Sequence, residues 1–389
     1  VDHRVYWIWL QQAFGPGSRL PCELDRRFVG GVEEFYQGGP KLWNAMAFIT
    51  DQQAATLFSF SLGEAEAQLE HAEKVGWWVV TPECEKYPEP LRNISDPPAV
   101  LYGKGELPDW QSRPAIAIVG ARKALDVSVE AARKIGCQLA CGGAPVISGG
   151  ALGIDTAALT GAMSVLGPVV SVLPVDLGSP YLNKNMALRR DILEKGGALV
   201  SEYFMQRQPS LGGFQVRNRL ITGLSCGVVL IQAAAKSGTM IYAKHALDQN
   251  RDVFVYPGPA GAPEYAGSQG LLRDGAKAVT CGEDVLEEYS TRFAIAPSDI
   301  FQAGSEYDGL FDDIPLPVPE VAMGDPGLEG DGLSPEEERV LGAFAGETLT
   351  VPQLGERTGL GPGALLSLLT GLELDGRVES VAGRRYRVC

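Results

Sequence analysis

The sequence predicts an α/β protein: an extended Rossmann-like parallel sheet flanked by a small helical N-terminal domain and a C-terminal winged helix. Three observations carry this. Between residues 115 and 290, short apolar runs alternate with helix-period stretches, as strands buried on both faces by crossover helices require. Small residues cluster after nearly every one of those runs. Beyond an acidic, proline-rich interruption at 291–333, the chain resumes with a helix-start signature and ends in a hairpin pattern.

In chain order, residues 1–75 read as a helical domain of the sterile-alpha-motif or helix-hairpin-helix kind. Turns fall at Gly15-Pro16-Gly17 and Gly30-Gly31, and a helical pattern covers 62–75. Residues 77–81 read as a short strand, followed by an extended stretch punctuated by Pro88, Pro97 and Pro98. The domain at 76–290 holds strand candidates at 115–119, 146–147, 169–173, 198–200, 228–231 and 253–256. Helical patterns at 127–140, 154–166 and 239–249 lie between them. Segment 291–333 has no sustained period and reads as a linker. At 334–389, Ser334 suits a helix cap, Pro335 the first helical position, and Glu336 to Glu338 the positive end of the helix dipole. Helices at 351–358 and 362–374 and a hairpin at 378–388, turning at Ala382-Gly383, complete the winged-helix pattern.

The net charge of −15 does not exclude a nucleic-acid partner, because of where it resides. Segment 291–333 alone carries nine acidic residues and one basic, whereas 115–290 carries 16 basic and 15 acidic. A neutral domain can gather its cations into one groove. The seven cysteines are scattered and form no Cys-x-x-Cys pair, which argues against a disulfide framework or a zinc site and fits a reducing cytoplasm. No apolar run reaches the roughly 18–20 residues that span a bilayer. The run at 5–10 is too short for a signal peptide.

In an open parallel sheet, ligands bind beyond the carboxyl ends of the strands. Here those ends carry Gly120-Ala121-Arg122-Lys123, Ser148-Gly149-Gly150-Ala151-Leu152-Gly153-Ile154-Asp155, Ser201-Glu202-Tyr203 and Ser237-Gly238-Thr239. Two of these loops lead straight into a helix, where free amides and the helix dipole can cradle a phosphate. Neither the Gly-x-Gly-x-x-Gly fingerprint nor a Gly-x-x-x-x-Gly-Lys-Ser/Thr loop occurs. Catalytic candidates are few: His3, His71 and His245 stand apart, Ser148 and Ser237 have no recognisable base, and Glu202 is the foremost acid. Single-strand binding needs cations for phosphates and flat side chains for bases. The same edge offers both, in Arg122, Lys123, Lys184, Arg217 and Arg219 with Tyr181, Tyr203 and Phe214.

These loops, in this order, resemble the DNA-processing protein A family, also called DprA or Smf. The resemblance runs through Val119-Gly120-Ala121-Arg122, the Ser148 to Asp155 loop, Ser201-Glu202-Tyr203, residues 214–221, Ser237-Gly238-Thr239 and residues 251–258, over about 75–290. It implies a cytoplasmic protein without cofactor or catalysis. Such a protein binds single-stranded DNA as a homodimer and hands it to the RecA recombinase during natural transformation. The family's DNA contacts carry over onto Arg122, Gly149-Gly150, Phe214 and Arg217. With the strand-end cations and loops, the expected DNA-binding set is Gly120, Arg122, Ser148, Gly149, Gly150, Lys184, Phe214, Arg217, Arg219, Ser237 and Gly238. Relatives place lysines where this chain has Tyr181 and Leu211, leaving Lys184 and Arg207 as the nearby cations. They have Gly-Ser-Arg for Gly-Ala-Arg, and Asn for Gln269.

Leu271 and Leu272, with Ala278 on a strand candidate at 276–280, form the expected dimer patch. Lys244 and Leu247 on the preceding helix are the expected contact for RecA. The alternative is a nucleotide-processing enzyme on a related Rossmann-like fold, which would carry an acid in the turn after Thr239, where this chain reads Met240-Ile241-Tyr242-Ala243. The third winged-helix segment has no Arg or Lys, so that domain is not expected to read DNA.

Overall fold

The apolar run at 5–10 belongs to α1 (Arg4–Phe14), in which Val5, Trp7, Ile8, Trp9 and Leu10 are all buried. A helix apolar on every side has no face to give to water. Around it stand α2 (Leu20–Arg27), α3 (Gly31–Ala45), α4 (Asp51–Ser59) and α5 (Leu62–Lys74). Capping boxes of Thr50 with Gln53 and Ser61 with Glu64 open the last two and satisfy amides the helices leave free. The Trp9 indole donates to the Leu57 carbonyl at 3.1 Å, and its ring lies 5.1–6.0 Å from those of Phe35, Tyr36 and Trp43. The computed structural model describes residues 2–180, 185–205, 211–293 and 295, together with 335–388 apart from 346, 362–364, 367, 370–371, 373–377 and 382–384. The expected linker, except for 291–293 and 295, and the Ser334 cap lie outside the described residues.

After α5 the chain enters β1 (Trp78–Val80), α6 (Glu89–Arg92) and β2 (Leu101–Gly105). Strand and helix then alternate: β3 (Ile116–Gly120), α7 (Asp126–Cys141), β4 (Val146–Ser148), α8 (Ile154–Ser164), β5 (Val169–Leu173), α9 (Met186–Glu194), β6 (Ala198–Ser201) and α10 (Leu211–Gly223). The alternation continues with β7 (Gly227–Ile231), α11 (Met240–Asp248), β8 (Asp252–Val255), α12 (Ala266–Arg273), β9 (Lys277–Ala278) and α13 (Gly282–Tyr289). The strands lie in the order β1-β2-β6-β5-β4-β3-β7-β8-β9. Neighbours from β6 to β9 are parallel, and β2 is antiparallel to both β1 and β6. The strand order therefore reverses at β3, flanked by β4 on one side and β7 on the other, which is where an open sheet of this kind leaves a crevice.

Alternate residues of β3 enter different cores. Ile116 and Ile118 pack with Ile135 and Leu139 of α7 and Leu159 of α8, while Ala117 and Val119 pack with Leu220, Ile221 and Tyr242 of α10 and α11. Residues 1–75, expected as a domain of their own, share the first of these cores with the sheet, Trp7 and Trp9 standing in one cluster with Val100 and Tyr102. The reason is polar as well as apolar. The buried Gln11 amide donates to the Glu202 carbonyl at the end of β6 and accepts from the Val100 amide, both at 2.8 Å. The chain thus forms two compact units, Val1–Glu306 and Tyr307–Cys389.

In the second unit, α14 (Pro335–Phe344), β10 (Leu349–Thr350) and α15 (Val351–Thr358) precede β11 (Val378–Val381) and β12 (Arg385–Val388). The strands pair in the order β10-β12-β11. Leu365, Leu369 and Leu372, one or two helical turns apart, join Val340, Phe344, Leu354 and Val378 in its core. Among the described residues, no helix is long and apolar enough to cross a membrane.

His3 links the helices to the sheet: its Nδ1 lies 3.0 Å from Glu83 and its Nε2 3.1 Å from Glu33. The Glu83 hydrogen bond, assisted by Glu33, raises the imidazole pKa above 6.5. The folded state therefore holds this proton more tightly than the unfolded one, and the added stability is present below the unfolded pKa of about 6.5. It fades as pH rises through the raised folded value. Thermal unfolding of wild type and His3→Gln should differ most at pH 5.5 and converge at pH 8.5; a constant gap across that range would contradict the assignment.

Candidate nucleic-acid interface

The loop between β4 and α8 is built around a buried acid. Asp155 Oδ2 accepts from the amides of Gly149 at 3.1 Å and Ala151 at 3.3 Å. Burial pushes this carboxyl up, against the opposing pull of the Arg217 guanidinium. Arg217, 3% exposed, donates from Nη1 to the carbonyls of Gly149 at 2.8 Å and Val172 at 2.7 Å. Asn185 Nδ2 donates to the Gly150 carbonyl at 2.8 Å, and the Ile154 amide to the Ala121 carbonyl at 3.2 Å. Two positions in the loop demand glycine. Gly150 has φ +65°, and Gly153 has φ +80° with its α-carbon pressed against the Ala121 and Arg122 carbonyls, where a Cβ would come within 2.4–2.5 Å.

This arrangement corrects part of the expected cradle. The Gly149 and Ala151 amides serve Asp155, Gly149 and Gly150 are buried, and Ser148 donates to the Ile118 carbonyl at 2.7 Å. The loop is a rigid internal clamp, and its outward part is Leu152, 38% exposed, with Gly153 half-buried. Gly120 is needed for close approach of β7, since a Cβ there would lie 2.1 Å from the Ile231 carbonyl.

What faces outward beside the clamp is Arg122 with Lys123, both exposed. The Arg122 guanidinium carbon sits 5.0 Å from the centroid of the half-buried Phe214 ring, with that of Arg217 at 6.0 Å. A guanidinium at such distance is held by the ring's quadrupole. Phe214 lies in the first turn of α10, not on an approach to the helix. At the strand-order reversal, Gln232 bridges the loops after β3 and β7. Its Oε1 accepts from the Leu125 amide at 2.8 Å, and its Nε2 donates to the Lys123 carbonyl at 3.2 Å. Ser237 is half-buried and Gly238 exposed, in the turn that leads into α11. Lys184 and Tyr181 lie outside the described residues.

Arg219 is a second correction. It donates from Nη2 to both oxygens of Glu202, at 2.9 and 2.7 Å, and its Nε lies 3.2 Å from Asp96; the Arg219 and Glu202 side chains are 3% and 2% exposed. It is closed off from any ligand. Glu202, the foremost catalytic acid in the sequence, is its counter-ion; burial pushes that carboxyl up and Arg219 pulls it down. Tyr203 is likewise buried, its phenol pushed up to about 12 by desolvation, so it offers no stacking face.

On the other side of the sheet's reversal, Ala278 is exposed on β9 at the sheet edge, and Leu271 and Leu272 are half-buried on α12. Lys244 is exposed on α11, and Leu247 is 63% exposed. Leu247 and Leu271 line one cavity of about 350 Å³ with Phe254, Arg251 and Lys277, which brings the expected dimer and RecA contacts together. Sequence reasoning missed Gln232 and Asn185, whose partners lie 107 and 35 residues away.

Residues 78–290 match the DNA recombination-mediator protein A family, and residues 325–384 match the DprA winged helix domain. Protein Smf of Escherichia coli is 32% identical over 346 residues, which cover 87% of this chain and 85% of its own. Protein Smf of Synechocystis is 32% identical over 413 residues, covering 99% of each. The X-ray structure of DNA processing protein A (DprA) from Streptococcus pneumoniae aligns with a TM-score of 0.62 at 27% identity, over 72% of this chain and 95% of that one.

Removing Arg219 would leave Glu202 buried without a counter-ion. Arg219→Ala should therefore destabilise the fold by about 3–5 kcal/mol, while Arg122→Ala, at an exposed position, should change stability by less than about 0.5 kcal/mol. Urea unfolding of the two variants checks the contrast, and equal losses would sink it.

Proposed function

The chain belongs to the DNA recombination-mediator protein A family, and from that premise we propose that it is a DNA-processing protein that holds single-stranded DNA on its strand-end face. The observation that carries this reading is the Arg122–Phe214 pair: an exposed guanidinium and an aromatic ring, side by side at the carboxyl end of β3. One group answers a phosphate and the other a base. The clamp behind them, tied by Asp155, Arg217 and Asn185, gives the pair a rigid backing. The protein acts by binding and not by catalysis; in support, its foremost acid, Glu202, is spent on Arg219. Ser237 and Gly238, in the adjoining turn, extend the face toward α11.

We further propose that it works in the cytoplasm as a homodimer and passes the strand to RecA during natural transformation. Leu271, Leu272 and Ala278 are assigned to the dimer contact, and Lys244 and Leu247 to RecA. The exposed β9 edge and the exposed Leu247 support these assignments.

Mobility shifts with matched single- and double-stranded oligonucleotides at two salt concentrations test the central claim. Single strands should bind more tightly, with affinity falling steeply as salt rises. Arg122→Ala and Phe214→Ala should each weaken binding by about 1–3 kcal/mol without unfolding the chain. Because the two side chains touch, their losses should not add. Equal or tighter duplex binding, or two variants that bind like wild type, would refute the site. Leu272→Arg should yield a folded monomer with weaker DNA binding in light scattering and mobility shifts; a wild-type protein that is already monomeric at micromolar concentration rules the dimer out.

A further inference from the structure

Helix α10 presents two flanks. Phe214 and Arg217, three residues apart, share the flank turned to the strand-end loops. Val216 and Arg219, also three apart, share the other, because residues two apart in a helix point about 200° away from each other. That second flank meets the turn of residues 15–17 between α1 and α2. The Gly17 amide donates to Glu202 Oε1 at 2.9 Å, and Glu202 in turn holds Arg219. Gly17 also sits so close to α10 that a Cβ on it would lie 2.9 and 3.1 Å from the two methyls of Val216. Valine has a short side chain stiff at χ1 and cannot swing aside. Added bulk at Gly17 therefore presses on α10 from the flank opposite Phe214.

We propose that the turn 15–17 is a positioning element of the DNA-binding face: it fixes α10 from behind, so that Phe214 stands under Arg122. The N-terminal helices are then a working part of the site rather than a separate module. The claim rests on the reading of Phe214 as the base platform.

The turn supplies its own control. Gly15 and Gly17 both have positive φ, +78° and +80°, but a Cβ on Gly15 meets nothing within 4 Å. Gly15→Ala and Gly17→Ala each place a side chain at positive φ, and of the two only the second presses on Val216. Two measurements are made on the full-length chain: affinity for a fluorescent single-stranded oligonucleotide, and hydrogen exchange across residues 211–223. Gly17→Ala should bind about fivefold more weakly than Gly15→Ala and exchange faster in α10. Adding Val216→Ala to Gly17→Ala should restore both readouts toward those of Val216→Ala alone. If Phe214→Ala weakens binding but Gly17→Ala matches Gly15→Ala in both readouts, or Val216→Ala gives no rescue, the bracing is refuted. If exchange in α10 follows the steric series while Phe214→Ala leaves binding unchanged, the bracing stands and the base platform is refuted instead.

Discussion

The larger unit depends on the buried ion pair between Glu202 and Arg219. Glu202 directly follows β6; its carbonyl takes the Gln11 amide, and its carboxylate takes both the Gly17 amide and the Arg219 guanidinium. One residue thus ties α1, the α1–α2 turn, the sheet and α10. Charges this deep lose their hydration, so they persist only where every oxygen finds a donor. The arrangement has a mechanical consequence. α10 is held by Arg219 on one flank and by Arg217, through Gly149 and Val172, on the other. A helix secured from both sides presents its first turn, and Phe214 with it, in one place.

The glycine-rich loop after β4 illustrates how a phosphate-cradle pattern can serve the protein itself. Free amides at a helix start attract an anion, and here the anion is internal. Asp155 occupies the place a phosphate would take, accepting from Gly149 and Ala151. What the loop gives to a ligand is rigidity and proximity: Gly153 brings it against the backbone of Arg122, whose side chain remains outside. On the proposed reading, the phosphate contact falls to the Arg122 guanidinium instead of the loop amides.

The strands and helices of 115–290 are legible in the sequence because strands buried on both faces must be apolar and must be separated by crossover helices. Strand β2 is not, since Leu101 and Tyr102 follow prolines and pair antiparallel with β1 and β6, an addition no crossover announces. The site is half legible. Arg122 and Phe214 stand out by type and place, and the structure brings them within contact. Arg217 and Arg219 look equally fit for phosphate, yet both are buried on protein partners. Nothing local distinguishes them from Arg122: Asp96 lies over a hundred residues from Arg219 in the chain, and the carbonyls that absorb Arg217 leave no mark in the sequence. The same holds for residues 1–75, whose attachment to the sheet runs through a shared apolar core and through partners distant in the chain, Gln11 and Gly17 with Glu202 among them.

Among the described residues, Arg122, the neighbouring Lys123 and one ring make a small site, and that constrains how the proposed function can work. With Tyr181 and Leu211 where relatives carry lysine, each protomer has fewer cations than those relatives to set against phosphates, Arg122 and Lys123 being the ones exposed beside the clamp. A tight complex then has to come from repetition. Two faces on one strand convert the second binding event into an intramolecular one, and the gain can exceed either affinity by about 10²–10⁴-fold. Strand β9 lies at the edge of the sheet, separated from β3 by β7 and β8, so a dimer joined along that edge would leave both Arg122 faces open to one strand. In the winged helix, Leu365, Leu369 and Leu372 turn one face of the segment into its own core, while Leu366, an apolar side chain, is exposed beside them.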